Sequence, residues 1–487
     1  MYSIQEIFSS FQGAFSHIPE GVLASITNAA SSGEGFRFYF AAAVFLITFV
    51  AVATEKIHKT TAVLIGAALM LMVILPGPAH HLPEGITGDA LKYCKLDFFA
   101  RYVNFDVIFT LAGMMVIVNV LSKTGLFQYV AIKSVKIAKG YPMPTMLLLV
   151  CATAVLSAFL DNVTTVLLVI PVTFLVASQM RLNPIPFLMA ETMASNIGGT
   201  ATLIGDPPNL IIGSAVNLDF MAFIINLTPF IVILMGIFCI GLWMIYGKNM
   251  QVTVEQRAAI MEMDEKSAIT DASTLKRAGF VMCLTLLGFI LHGFVGLQPS
   301  VVALGGMALC LLLCKVNVDE MLEKIEWGTL FFFIGLFIVV EGAAYSGVMG
   351  KIGLLLQFTT SWHPLVVILA IMWCCGLAVA IVNNVSFTTV VVSLISGYFS
   401  SDMANAYFVN NTDHQHLLWW GIALAVCLGG NMTVLGAAAN LVSVGIAKQN
   451  KHEISFMQFM KFGVPVTIAS LILASLYIVF RFYVIGK

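Results

Sequence analysis

Apolar runs separated by short polar connections recur along almost the whole chain. A helix needs about 20 mostly apolar residues to cross a bilayer. Runs of that kind fall at about 36–53, 59–76 and 105–121. Two shorter runs follow, at about 144–160 and 163–179, meeting at Asp161-Asn162-Val163-Thr164. A helix interrupted by glycines spans about 187–213, and a further span covers about 219–246. The order then repeats: spans at about 278–296, 298–314 and 327–345, and short runs at 364–382 and 385–397 that meet at Asn383-Asn384. An interrupted helix at about 417–445 and a span at about 458–482 complete it. The pattern predicts an all-α polytopic membrane protein. It comprises about 10 transmembrane helices, two re-entrant hairpins and two broken helices.

The residues repeat with the pattern. Asp161-Asn162-Val163-Thr164 maps onto Asn383-Asn384-Val385-Ser386, at the offset that carries Gly113 onto Gly335. Gly198-Gly199-Thr200-Ala201-Thr202-Leu203-Ile204-Gly205 maps onto Gly429-Gly430-Asn431-Met432-Thr433-Val434-Leu435-Gly436, and Asn209 onto Asn440. The organisation expected is an N-terminal extramembrane segment (1–35), a first repeat (36–246), a charged, solvated cytoplasmic linker (247–277) and a second repeat (278–487). Each half crosses the bilayer an odd number of times, whether its short runs span or fold back. The repeat is therefore inverted, as in secondary transporters.

Composition narrows the classes further. Of 487 residues, 59% are hydrophobic and 10% charged, against about 25% charged in soluble domains. Mean hydropathy is +0.96. A net charge of −1 without a basic tract gives no support to nucleic-acid binding. No phosphate loop is present, so no use of ATP is expected. The nine cysteines form neither a disulfide framework nor a zinc spacing; Cys94 alone sits in a loop. Most lysines and arginines fall in the connections of one face, including Lys56, Lys59, Lys123, Arg181, Lys248 and Lys315. The other face keeps Arg37, Lys92, Lys95, Arg101, Lys351, Arg481 and Lys487. The basic face should be cytoplasmic, with both termini outside.

The breaks within the apolar segments carry the candidate chemistry. An unwound backbone at membrane depth must be buried or line a cavity. Glycine permits such turns, and Asn, Thr and Ser add oxygen atoms that suit a hard cation. Half-helix N-termini offer N–H groups to an anion. These features predict two sites, each pairing a hairpin tip with a broken helix. The first gathers Asp161, Asn162, Thr164, Asn196, Gly199, Thr202, Asp206 and Asn209; the second gathers Asn383, Asn384, Ser386, Gly430, Asn431 and Thr433. Na+ is expected at Asn162/Gly199 and Asn384/Gly430. Coupling candidates are Asp161, Asp206 and Glu341, with no lysine or arginine at depth to pair with them. Glu191 reads as a solvated residue near an interface. No enzymatic activity is expected. The Gly-x-Gly-Asp signature of intramembrane aspartyl proteases fails at Leu203.

Leu160-Asp161-Asn162-Val163-Thr164-Thr165, Asn196-Ile197-Gly198-Gly199, Gly205-Asp206-Pro207-Pro208-Asn209, Val340-Glu341-Gly342 and Cys427-Leu428-Gly429-Gly430-Asn431 resemble the ion transporter superfamily, most closely its arsenite permease and melanosomal P protein branch. The superfamily also holds NhaD-type sodium/proton antiporters, citrate permeases and divalent anion/sodium symporters. The resemblance implies a homodimer in which each protomer has a scaffold domain and a transport domain. It also implies Na+ and substrate at the hairpin tips, where the symporters carry Ser-Asn-Thr. Asp161-Asn162-Val163 and Asn383-Asn384-Val385 stand there in this chain. The function expected is secondary active transport of a small inorganic ion or anion, coupled to Na+ or H+, with no other cofactor. The alternatives are a Na+/H+ antiporter and an anion channel. The membrane expected is a prokaryotic inner membrane.

Overall fold

A computed structural model describes residues 34–54, 57–75, 102–247, 250, 252–261, 264–353, 362–399, 408 and 411–485. The described residues are helical and contain no strand. Eight of these helices are long and apolar enough to cross a membrane. Most of the expected N-terminal segment, Cys94, and the orientation markers Lys56, Lys92, Lys95, Arg101, Lys248 and Lys487 lie outside the described residues.

The scaffold comprises α1 (Glu34–Thr54), α2 (Lys59–Val73) and α3 (Phe105–Lys123) from the first repeat. Their counterparts are α12 (Ala272–Val295), α13 (Pro299–Cys314) and α15 (Trp327–Tyr345). The halves interlock, α3 along α13 and α2 along α15. A Cβ on Gly113 would lie 2.7 Å from the Ala303 carbonyl oxygen, and one on Gly335 would lie 2.8 Å from Val63 Cγ1. The same close approach thus occurs twice, related by the repeat.

The remaining elements carry the breaks. The first hairpin is α5 (Pro142–Phe159) and α6 (Asn162–Met180); the second is α17 (Pro364–Ala378) and α18 (Asn384–Phe399). Proline opens α5 and α17, where its missing N–H costs nothing. Asp161 caps α6 by accepting from the Thr164 amide at 3.0 Å. The broken helices are α7 (Ile185–Gly199) with α8 (Pro207–Val216), and α19 (Thr412–Gly429) with α20 (Ala438–Gln449). Each hairpin's first arm packs on its own half's broken helix, α5 on α7 and α17 on α19. The second arms cross over, so α6 lies along α20 and α18 along α8.

Three sequence expectations change. The span at 219–246 is two helices, α9 (Phe220–Asn226) and α10 (Thr228–Tyr246). Asp219 caps α9 through the Ala222 amide at 2.7 Å, and the chain bends by 114° between α8 and α9. The amphipathic α4 (Leu126–Ile137), set against α5 and α6, has no counterpart among the expected spans because its polar face dilutes the apolar signal. The 247–277 linker docks on this hairpin base. It holds α11 (Val254–Met261), whose Arg257 guanidinium stacks 3.7 Å from the Tyr141 ring centroid. Glu265 pairs with Lys136 and Lys133, which hold its carboxyl below the usual range. The short α14 (Val318–Glu323) and α16 (Val348–Gly353) complete the second half, and α21 (Phe456–Ile485) is the last span.

Candidate functional site

The crossover of the second arms decides where the polar breaks meet. Because α18 lies along α8, the tip of the second hairpin reaches the start of the first repeat's half-helix. Asp206, wholly buried just before Pro207-Pro208, accepts from Asn162 Nδ2 at 3.3 Å and from Asn384 Nδ2 at 3.3 and 3.4 Å. One carboxylate therefore ties the two hairpin tips together. The position repeat-related to Asp206 is Ala437, so the second half offers no matching charge.

Each tip keeps its own half's break as a neighbour, Asn162 donating to Asn196 and the Asn384 backbone amide to the Gly436 carbonyl at 2.9 Å, while both tips also line one cavity of about 300 Å³. Asp161, Asn162, Asp206, Asn383 and Asn384 all face it. The helices α6, α8, α18 and α20 all start at its wall, through Asn162, Pro207, Asn384 and Ala438. Four helix starts thus lie at its wall, and their positive dipole ends act on it, although α8 opens on two prolines that carry no N–H.

A surrounding layer of amides and hydroxyls braces this group. Asn196 Nδ2 donates to Asn431 Oδ1 at 2.8 Å and to Asn440 Oδ1 at 2.9 Å, while its own Oδ1 accepts from Asn162 at 3.1 Å. It stitches the repeats together at the centre. Asn209 Nδ2 donates to the carbonyls of Thr200 and Thr202; Asn440 Nδ2 does the same for Gly430 and Thr433. Carbonyls freed by the breaks thus already accept one hydrogen bond, leaving each a second lone pair. Thr202 and Thr433 donate to the repeat-related carbonyls of Ala158 and Ala380. Thr164 donates to Asp161 at 2.5 Å. Gly199 packs on Gly205, and Gly430 on Gly436. Gly198 lies against the Ala154 backbone and Gly429 against that of Gly376, where a Cβ would sit 2.5 Å from the carbonyl oxygen.

Ser386 differs from its counterpart Thr164. Its hydroxyl is fully buried without a hydrogen-bond partner among the described residues. A buried hydroxyl left unpaired costs about 1–3 kcal/mol. It lies in the first turn of α18, two residues after Asn384, and is not among the residues that line the cavity.

Glu341 is not part of this group. It lines a second cavity of about 620 Å³ with Asn104, Asp106, Gln298, Ser214 and Ser393. The helices α8 and α18 run between the cavities. Their starts (Asp206, Asn384) face the first, and their later turns (Ser214, Ser393) face the second. Glu191 is 1% exposed, not solvated, and accepts from Thr173 Oγ1 at 2.7 Å through both carboxylate oxygens.

Two further residues join the first cavity. Lys59 opens α2 and Glu326 precedes α15; both line it. The expectation that no lysine accompanies the acids is thereby corrected. Along the chain, Lys59 and Glu326 look like ordinary charges at span ends. The one signal against that reading is a lysine in the first turn of a helix, where the dipole opposes it.

Residues 49–420 match the family described as citrate transporter (CitMHS). A 46 kDa membrane protein of Mycobacterium leprae is 36% identical over 443 residues, covering 91% of this chain and 98% of its own. The human P protein is 27% identical over 514 residues, which are 89% of this chain and 58% of that protein. Among solved structures, the YdaH transporter of Alcanivorax borkumensis has a TM-score of 0.53 at 14% identity, covering 89% of this chain and 97% of that one. This likeness is one of fold.

Proposed function

The chain belongs to the citrate transporter family, and from that membership we propose that this secondary transporter carries a small anion, of the polycarboxylate kind, together with Na+ or H+. The observation that carries the reading is the bridging of both hairpin tips by Asp206 at one cavity. Four helix N-termini favour an anion there, and Asp161 and Asp206 favour a cation. A fixed carboxylate repels an anion unless a cation neutralises it. The two charges are therefore best taken together, and that requirement is the basis of coupling. Asp206 and Asp161 hold the Na+ or H+. Asn162 and Asn384 orient the carboxylates of the anion through their amides and the helix starts beside them.

The cavities on either side of α8 and α18 support alternating access. The same two helices wall both, so a shift of the tip group relative to the scaffold would exchange which cavity it faces. The test is citrate uptake into proteoliposomes under an imposed Na+ gradient and, separately, an imposed proton gradient. Uptake above the ion gradient-free level under either one supports the reading; none with citrate under both overturns the substrate class.

A Na+/H+ antiporter is the second reading, favoured by the two acids at one cavity. A pH-dye recording after an external Na+ pulse, with no organic anion present, separates the two. Proton movement that tracks Na+ means exchange at Asp161 and Asp206 without an anion.

A further inference from the structure

We propose that Lys59 is an anion-binding residue of the transport site, supplied by the scaffold to only one of the two cavities. The inference rests on the anion reading above. Lys59 is the only Lys or Arg among the described residues lining the cavity that holds Asp161 and Asp206. Its ammonium lies 5.4 Å from the centroid of the Phe332 ring, an aromatic face that holds a cation without discharging it. It occupies the first position of α2, where the helix dipole opposes a positive charge. Glu326 on the same wall offsets part of that opposition, and an anion in the cavity adds to that effect.

The repeat makes the asymmetry plain. Gly66 and Gly306 are related positions, each abutting a threonine, Thr48 and Thr285. The same offset carries Lys59 onto Pro299, which opens α13 beside the second cavity. Glu326 maps onto Asn104 at the other offset, the one that relates Gly335 to Gly113, and the Asn104 amide donates to Ser214 at 2.6 Å. No Lys or Arg lines the second cavity among the described residues; its charged groups are Asp106 and Glu341. Besides the tip group's own acids, an anion meets Lys59 together with Glu326 on the first side, a pair with no net charge, and the two carboxylates Asp106 and Glu341 on the second. Affinity is therefore higher while the tips face Lys59, and the anion is released more readily on the other side.

The experiment is thermal unfolding of the purified full-length protein in detergent, titrated with citrate. The wild type is expected to be stabilised. Lys59→Gln should unfold at the wild-type temperature without ligand but need about 10- to 100-fold more citrate for the same stabilisation, the size of one lost hydrogen bond between charged groups. Lys59→Arg should stay within about threefold of wild type. An unchanged citrate midpoint in Lys59→Gln overturns this assignment alone. A wild type indifferent to citrate overturns the assignment together with the polycarboxylate reading. Should Lys59→Gln unfold early, amine labelling of wild-type Lys59 decides, read by mass spectrometry. Protection by citrate supports the contact, and labelling unaffected by citrate refutes it.

Discussion

Replacing Asp206 by Asn is the sharpest perturbation of the coupling site. The side chain keeps its shape and one acceptor oxygen. The bonds at stake, from Asn162 at 3.3 Å and Asn384 at 3.3 and 3.4 Å, are long. Their weakening should cost only about 1 kcal/mol, so the variant folds. Loss of the charge weighs more. A cation about 4 Å from a carboxylate is held by about 4 kcal/mol at an effective dielectric of about 20. That corresponds to nearly three orders of magnitude in affinity, an upper figure because Asp161 faces the same cavity and retains its field. Cation affinity in Asp206→Asn should therefore fall by at least about tenfold. The assay is uptake in proteoliposomes as a function of Na+ and of pH, with the amount of folded protein checked by gel filtration. A variant that keeps the wild-type rate and cation dependence would refute the placing of the coupling charge at Asp206.

Asn196→Ala strands the Oδ1 atoms of Asn431 and Asn440 in a buried centre. It should destabilise the protein by about 2–4 kcal/mol, seen as a lower unfolding temperature in detergent; an unchanged temperature would show that the stitch between repeats is dispensable. Gly198→Ala forces a methyl into the Ala154 backbone at distances of 2.5 and 2.6 Å from its Cα and carbonyl carbon. It should cost about 1–3 kcal/mol and impair transport, whereas Gly236→Ala, with nothing within 4 Å, should be silent in both assays. Glu265 has a folded-state pKa depressed below 4.5 by Lys136 and Lys133. Its stabilisation of the linker is therefore present above 4.5 and lost as the pH falls through the lower, folded-state value. Hydrogen exchange of residues 264–270, corrected for intrinsic pH dependence, should rise in that acid window, and Glu265→Gln should reproduce the rise at neutral pH. Protection that persists in Glu265→Gln would show that the contact with Lys136 does not hold the linker.

Much of the fold was legible in the chain itself. Apolar run lengths set the spans, because lipid cannot satisfy an open backbone. Asp161-Asn162, Asn383-Asn384 and the two glycine clusters marked the breaks, because a break at depth needs residues that tolerate or complete it. The inverted repeat followed from paired motifs and parity. Helices whose stability comes from amphipathic contact, such as α4, were hidden, because their apolar positions are too few to register as spans. So was the bend after Asn217, since the apolar content is continuous across it while the backbone turns by 114°.

The site shows the same division. Its residue types were readable from the breaks, but its membership was not. Sequence order pairs each tip with its own half's broken helix. Only the crossover of α18 onto α8 and of α6 onto α20 brings Asp206 to Asn384, so that both tips also face one cavity. Glu341, a repeat mate of Asn119, fell to the other cavity through the path of α15. Lys59 and Glu326 came in from the scaffold, far along the chain from every motif. Local pattern fixes what a segment must bury or expose, because that depends on a helix and its solvent. Which buried groups share a space depends on how separate helices cross, and that is settled only when the two halves pack.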